Sequence, residues 1–169
     1  MSTTIVTSYY LKARDAYPLD LAEVEENLDY ALAYDTGHLS SLCLKSHYYL
    51  YELNWLEEAR DLAERAMAIN PRNAYAATAL LNCMIEAGEY KEALIFLAYV
   101  DRKVRMKDFQ KYAYMAHIMH LKMNYKIALN YYKYLILYSE SPEQKVYVEG
   151  LINLIKSKIK HQRKLQGKR

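Results

Sequence analysis

Apolar positions recur along most of this chain at the period of an α-helix. Leu21, Val24, Leu28, Ala31 and Leu32 fall on one face at helical spacing, which predicts an amphipathic helix. Turn chemistry interrupts the pattern at Tyr17-Pro18, Asp35-Thr36-Gly37, Asn70-Pro71-Arg72-Asn73, Gly88 and Ser139-Glu140-Ser141-Pro142. Between these breaks the pattern predicts helices over about residues 5–16, 20–35, 38–52, 55–69, 73–87, 90–102, 108–122 and 125–138, and a last one from Pro142. Asp20 is placed to cap the second helix, whose acids Glu23, Glu25, Glu26 and Asp29 lie near its positive end. The last helix begins apolar, at Val146, Val148, Leu151, Leu154, Ile155 and Ile159, then turns polar and basic.

The breaks are themselves periodic. The hexamer Gly88-Glu89-Tyr90-Lys91-Glu92-Ala93 ends at Ala93, 34 residues after Ala59 in Asn54–Ala59 and 35 residues before Ala128 in Met123–Ala128. A weaker copy, Leu19–Val24, stands 35 residues before Ala59. A turn and helix start repeated at this interval predict stacked helical hairpins, over about 5–36, 38–71, 73–105 and 108–140, with a capping helix from 142. The expected fold class is all-α, a right-handed α-solenoid of about four antiparallel hairpins plus a C-terminal cap. It forms one repeat domain over 1–155, followed by a basic tail over 156–169.

Composition supports this reading. Only 4 Gly and 3 Pro with 53% hydrophobic residues argue for long helices and against an all-β or disordered chain. The 19 tyrosines exceed what the core needs, and each hydroxyl must reach water or a partner, so many are expected on half-exposed surfaces. Cys43 and Cys83 are isolated inside predicted helices and read as buried thiols. The N-terminal residues lack the basic flank and apolar run of a secretory signal, and no apolar stretch approaches about 20 residues. The expectation is a soluble cytoplasmic protein with no membrane insertion.

The net charge of +3 hides an asymmetry. Seven Lys or Arg and no acid lie between Lys156 and Arg169, whereas seven acids and no base lie from Asp15 to Asp35. The basic tail, with Lys156, Lys158, Lys160, Arg163 and Lys164, suits phosphates or an acidic protein surface. It has no interleaved aromatics, which argues against nucleic acid as the main partner. Head-to-tail contact between copies, giving a homo-oligomer, is another use of the two charged ends.

In this register the chain resembles the tetratricopeptide repeat family over about residues 5–155. Ala59, Ala63 and Ala66 stand where that family places small residues, Pro71 ends a repeat, and Gly88, Tyr90 and Ala93, then Tyr125 and Ala128, match the turn and helix start. At the small-residue slot of each first helix the chain has Lys12, His47, Leu81 and Ala116, and Gly150 fits the same slot in the last helix. The resemblance implies a non-catalytic scaffold or adaptor whose first helices line a concave groove for a protein or peptide segment. On that surface it places Tyr9, Tyr10, Leu44, Lys45, Tyr48, Tyr51, Tyr75, Asn82, Tyr114 and His117. The cationic clamp of the subfamily that holds heat-shock chaperone tails is missing, since its positions carry Leu44, Tyr48, Asn82, Gln110 and Ala113.

Tyr48, Tyr49 and Tyr51 cannot all face the core, so at least one is expected at a surface. His117 and His120 share a helix face but have no carboxylate or cysteine within a turn, so no metal site is expected. No phosphate loop or supported catalytic arrangement is visible, so neither enzyme activity nor a cofactor is expected. Two alternatives to the plain scaffold stand: a cytoplasmic chaperone or adaptor of a secretion or other multiprotein machine, and a nucleic-acid-associated protein using the basic tail.

Overall fold

The structure is a computed structural model that describes residues 2–104 and 106–166. Arg105 in the expected linker and residues 167–169 of the expected tail lie outside the described residues. The elements are α1 Ser2–Ala16, α2 Leu21–Tyr34, α3 Leu39–Tyr48 with a π-helical extension Tyr49–Leu53, and α4 Leu56–Ile69. They continue as α5 Ala74–Glu86, α6 Tyr90–Val104, α7 Asp108–Leu121, α8 Tyr125–Leu137 and α9 Pro142–Gln166. Asp20 caps α2 by accepting from the Glu23 N–H at 3.0 Å, and Asn73 caps α5 by accepting from the N–H groups of Tyr75 and Ala76.

The periodic turn has a shared backbone basis. Asn54, Gly88 and Met123 all hold positive φ, at 55°, 77° and 57°, and they stand 34 and 35 residues apart. After Gly88 the Glu89 N–H donates to the Met84 carbonyl at 2.9 Å, and after Met123 the Asn124 N–H donates to the Met119 carbonyl at 2.9 Å. Each bond closes the end of a helix by satisfying one of its last carbonyls. At Asn54 the loop is one residue wider, from the Trp55 N–H to the Tyr49 carbonyl at 2.9 Å, because α3 ends in the π-helical turn.

Glycine adopts this left-handed conformation without strain, whereas a residue with a Cβ is strained there. Met123 is exposed, so Met123→Gly should lose little packing. It is expected to raise stability by about 0.5–1 kcal/mol, the roughly 1–2 kcal/mol of left-handed strain less the extra backbone entropy that glycine loses on folding. Chemical denaturation followed by circular dichroism checks this.

The chain divides into two compact units, Met1–Glu89 and Tyr90–Arg169. In the first, α1 pairs with α2, α3 pairs with α4, and α4 also packs on α5. Ala59, Ala63 and Ala66 are fully buried with Leu42, Cys43, Ala76 and Cys83. Small side chains on α4 therefore let α3 and α5 approach it closely. Ser46 ties the same layer together, donating from Oγ to the Ala59 carbonyl at 2.7 Å. A second cluster holds Ala13, Val24, Leu28, Leu44 and Tyr48. Both cysteines are buried, and burial pushes the Cys43 thiol up to about 12.

In the second unit α7 pairs with α8, and α8 pairs with α9. Ala116, Ala128, Tyr132 and Leu135 share a core with Val148, Ile152 and Ile155 of α9. The buried stripe of α9 thus runs through Val148, Ile152 and Ile155, while Val146 and Leu154 are exposed off its edge. Gly150 is also exposed, and a Cβ there would meet nothing within 4 Å. It therefore does not mark a close helix approach, and the expectation from its register position is corrected.

Candidate functional site

In the first unit a groove of about 340 Å³ opens between α3 and α5, beside the end of α1. Leu44, Tyr75 and Asn82 line it as the sequence expects, together with Tyr17, His47 and Thr78. Tyr17 stands edge-on to His47 with ring centroids 5.5 Å apart, and His47 lies 4.6 Å from Tyr51. Tyr17 and His47 belong to the lining, and Tyr51 extends the row of rings beyond it. Tyr17 donates its hydroxyl to Glu52 Oε1 at 2.7 Å, and burial with this carboxylate pushes the phenol up to about 12. Tyr51 and Tyr75 remain 45% and 38% exposed, so each has ring area to offer a ligand.

His47 occupies a slot where a small residue would let helices touch. Its ring fills the space between Tyr17 and Tyr51 instead. Burial holds the imidazole below its ordinary value, with Glu52 opposing. A lowered folded value means that the unfolded chain takes up the proton first, so stability is full above about pH 6.5 and falls as pH drops through the folded value. Thermal melts at pH 7.5 and 5.5 should show this loss, and His47→Gln should make it smaller. His120 is lowered in the same sense, by burial first and then by Lys158 and His117, so a residual slope is expected in the variant.

Besides Tyr51, four expected groove residues lie outside this lining. Tyr48 is 3% exposed and packs in the core with Val24 and Leu28, because it lies on the inner side of α3 one turn from Leu44. Lys45 points the other way, paired with Asp29 of α2 and lying over the Tyr49 ring at 5.3 Å. It lines a different groove, with Leu32 and Glu57. Tyr9 stacks on Tyr30 and Tyr34 of α2, at 5.2 and 5.9 Å. Tyr10 meets His38 edge-on at 5.6 Å. Leu44 is itself buried, so it forms the groove floor and not its rim.

The second unit has its own apolar groove of about 530 Å³, where α7 faces α8 and α9. Tyr114 and His117 line it with Phe109, Tyr132 and Tyr147. His120 also borders it, and Lys158 Nζ donates to His120 Nε2 at 2.6 Å. That bond occupies one of the two ring nitrogens a metal could use. Among the described residues no group of three or more His, Cys, Asp or Glu is gathered as metal ligands, and no helix is long and apolar enough to cross a membrane.

Several tyrosines serve neither groove. Tyr112 stacks with Tyr131, Tyr134 and Tyr138 at 6.2, 5.3 and 5.4 Å. The spacing of the last three, one face of one helix, was the available signal. These stacks seal the α7–α8 hairpin edge.

Residues 51–111 match the family model of the tetratricopeptide repeat. Over that segment the chain is similar to the tetratricopeptide repeat. The matched segment contains the left-handed turns at Asn54 and Gly88 and the small-residue layer of α4. Two solved structures share the fold. A tetratricopeptide repeat protein from Parabacteroides merdae is 16% identical with a TM-score of 0.77, the match covering 90% of this chain and 59% of that one. A thermophilic tetratricopeptide repeat protein from Thermus thermophilus is 18% identical with a TM-score of 0.72, covering 86% of this chain and 80% of that one. The chain therefore spans 59% of the length of the Parabacteroides protein. At these identities the likeness is one of fold, an all-α solenoid. No curated protein matches the sequence.

Proposed function

We propose that the protein is a non-catalytic scaffold that holds a segment of a partner protein in the groove between α3 and α5. The observation that carries this reading is a groove lined by the rings of Tyr17, His47 and Tyr75 over a floor that includes Leu44, with Tyr51 beside His47. Rings give a ligand apolar area at small side-chain entropy cost, and the tyrosine hydroxyls add adjustable hydrogen bonds. A protein segment seated in the groove covers Tyr75 and, running past His47, reaches Tyr51, both of which are exposed in the free chain. The groove between α7 and α9, with Tyr114 and His117, offers a second apolar contact of the same kind.

Affinity capture from native lysate, with mass spectrometry, tests the reading. A partner retained by the wild-type chain should be lost from the Tyr51→Ala/Tyr75→Ala chain while helicity stays unchanged. Equal capture by both chains would remove this groove from the function.

A further inference from the structure

A third groove lies along the outer side of the capping helix. It runs between α8 and α9, measures about 660 Å³, and is lined by Lys126 of α8 and by Lys156, Lys160, Arg163 and Lys164 of α9 over Leu129 and Ile159. No acid lines it. Among the described residues none of the five cations belongs to an ion pair. The acids of this unit that do pair, Asp101, Asp108 and Glu140, are taken by Lys111 and Lys107.

Charge separates with the fold. Residues 1–89 carry 14 acids and 6 bases, a net of −8, whereas residues 90–169 carry 17 bases and 6 acids, a net of +11. The positive field of the second unit is therefore not confined to its end, and the groove concentrates five of its cations beside an apolar floor.

We propose that this groove binds an acidic amphipathic helix of a partner protein. Three features of the lining select that chemistry. The cations at 156, 160, 163 and 164 recur at one-turn intervals over about 12 Å of α9, at 1.5 Å per residue. Carboxylates one turn apart on a partner helix have the same rise and meet them in register. Leu129 and Ile159 form a floor that favours apolar anchors, which a phosphate backbone does not supply. No aromatic ring lines the groove, so unpaired bases find no stacking platform. The site is separate from the α3–α5 groove and does not depend on it.

The test uses the full chain and a fluorescein-labelled 18-residue peptide that carries Glu on one face and Leu at helical spacing on the other. Two competitors of equal charge accompany it, the same peptide with each Leu replaced by Ser and a single-stranded oligonucleotide. Fluorescence anisotropy should show the Leu peptide binding about tenfold or more tightly than the Ser peptide or the oligonucleotide, as expected when apolar burial adds to charge attraction. Lys160→Glu/Arg163→Glu, both exposed positions, should weaken the Leu peptide by about tenfold or more through like-charge contact.

Equal binding of the Ser peptide would reduce the groove to a general anion attractor and overturn the proposal. Tighter binding of the oligonucleotide would assign the groove to nucleic acid and overturn it too. No measurable peptide binding, or binding unchanged by the double charge reversal, would overturn it as well.

Discussion

Leu28→Ala is expected to cost about 2–5 kcal/mol, the range for emptying a fully buried leucine site. Leu28 is 0% exposed and packs with Ala13, Val24, Leu44 and Tyr48. Its neighbours come from three helices, α1, α2 and α3, so the cavity is walled by elements that relax little toward it. Trp55, the one tryptophan of the chain, sits in the same unit with its ring 5.3 Å from Tyr49. Its fluorescence in a urea titration should show the midpoint of unfolding falling. A loss below about 1 kcal/mol would mean that the surrounding helices close over the vacancy, contrary to the packing described.

The second large effect concerns partner binding. Tyr75 lines the groove and Tyr51 adjoins it beside His47, and both are exposed in the free chain. Aromatic anchors at the centre of an interface each contribute about 2 kcal/mol or more when truncated, roughly thirtyfold in Kd. Removing both should therefore weaken a groove-bound partner by about a thousandfold if the two act independently. The fold should survive the change, because neither residue belongs to the buried core. Titration of the captured partner against wild-type and doubly substituted chains measures the loss, with circular dichroism as the folding control. A change of less than about threefold would place the binding energy elsewhere, since surface residues outside hot spots contribute little.

The turns were the most legible part of the sequence. The recurrence that ends at Ala59, Ala93 and Ala128 reflects a backbone constraint five residues earlier, where Asn54, Gly88 and Met123 hold the left-handed conformation. The alanines at 59, 63 and 66 were legible for a related reason, since close helix packing admits few other side chains. A surface position among Tyr48, Tyr49 and Tyr51 also follows from helix geometry, and Tyr51 takes it.

Side-chain direction was less legible. The π-helical turn Tyr49–Leu53 adds backbone at the end of α3, and no residue type announces it. Lys45 turns away from the groove because its partner Asp29 lies 16 residues earlier on another helix. Tyr9 turns toward α2 because Tyr30 and Tyr34 offer it a stack. Both choices are tertiary, and a single-helix projection does not contain them. Charge along the chain suggests an acidic head and a basic end, and summed over the two compact units it is −8 against +11. The basic positions of the last helix gain an apolar floor only when α8 is set beside them.

The central claim is that the α3–α5 groove holds the partner segment. The most direct measurement replaces Tyr75 with a photo-activatable benzoylphenylalanine, and in a second chain replaces exposed Glu64 of α4 instead. Both are irradiated with the captured partner. Cross-linking from position 75 with none from position 64 is the predicted result, and cross-linking from position 64 with none from position 75 would contradict it.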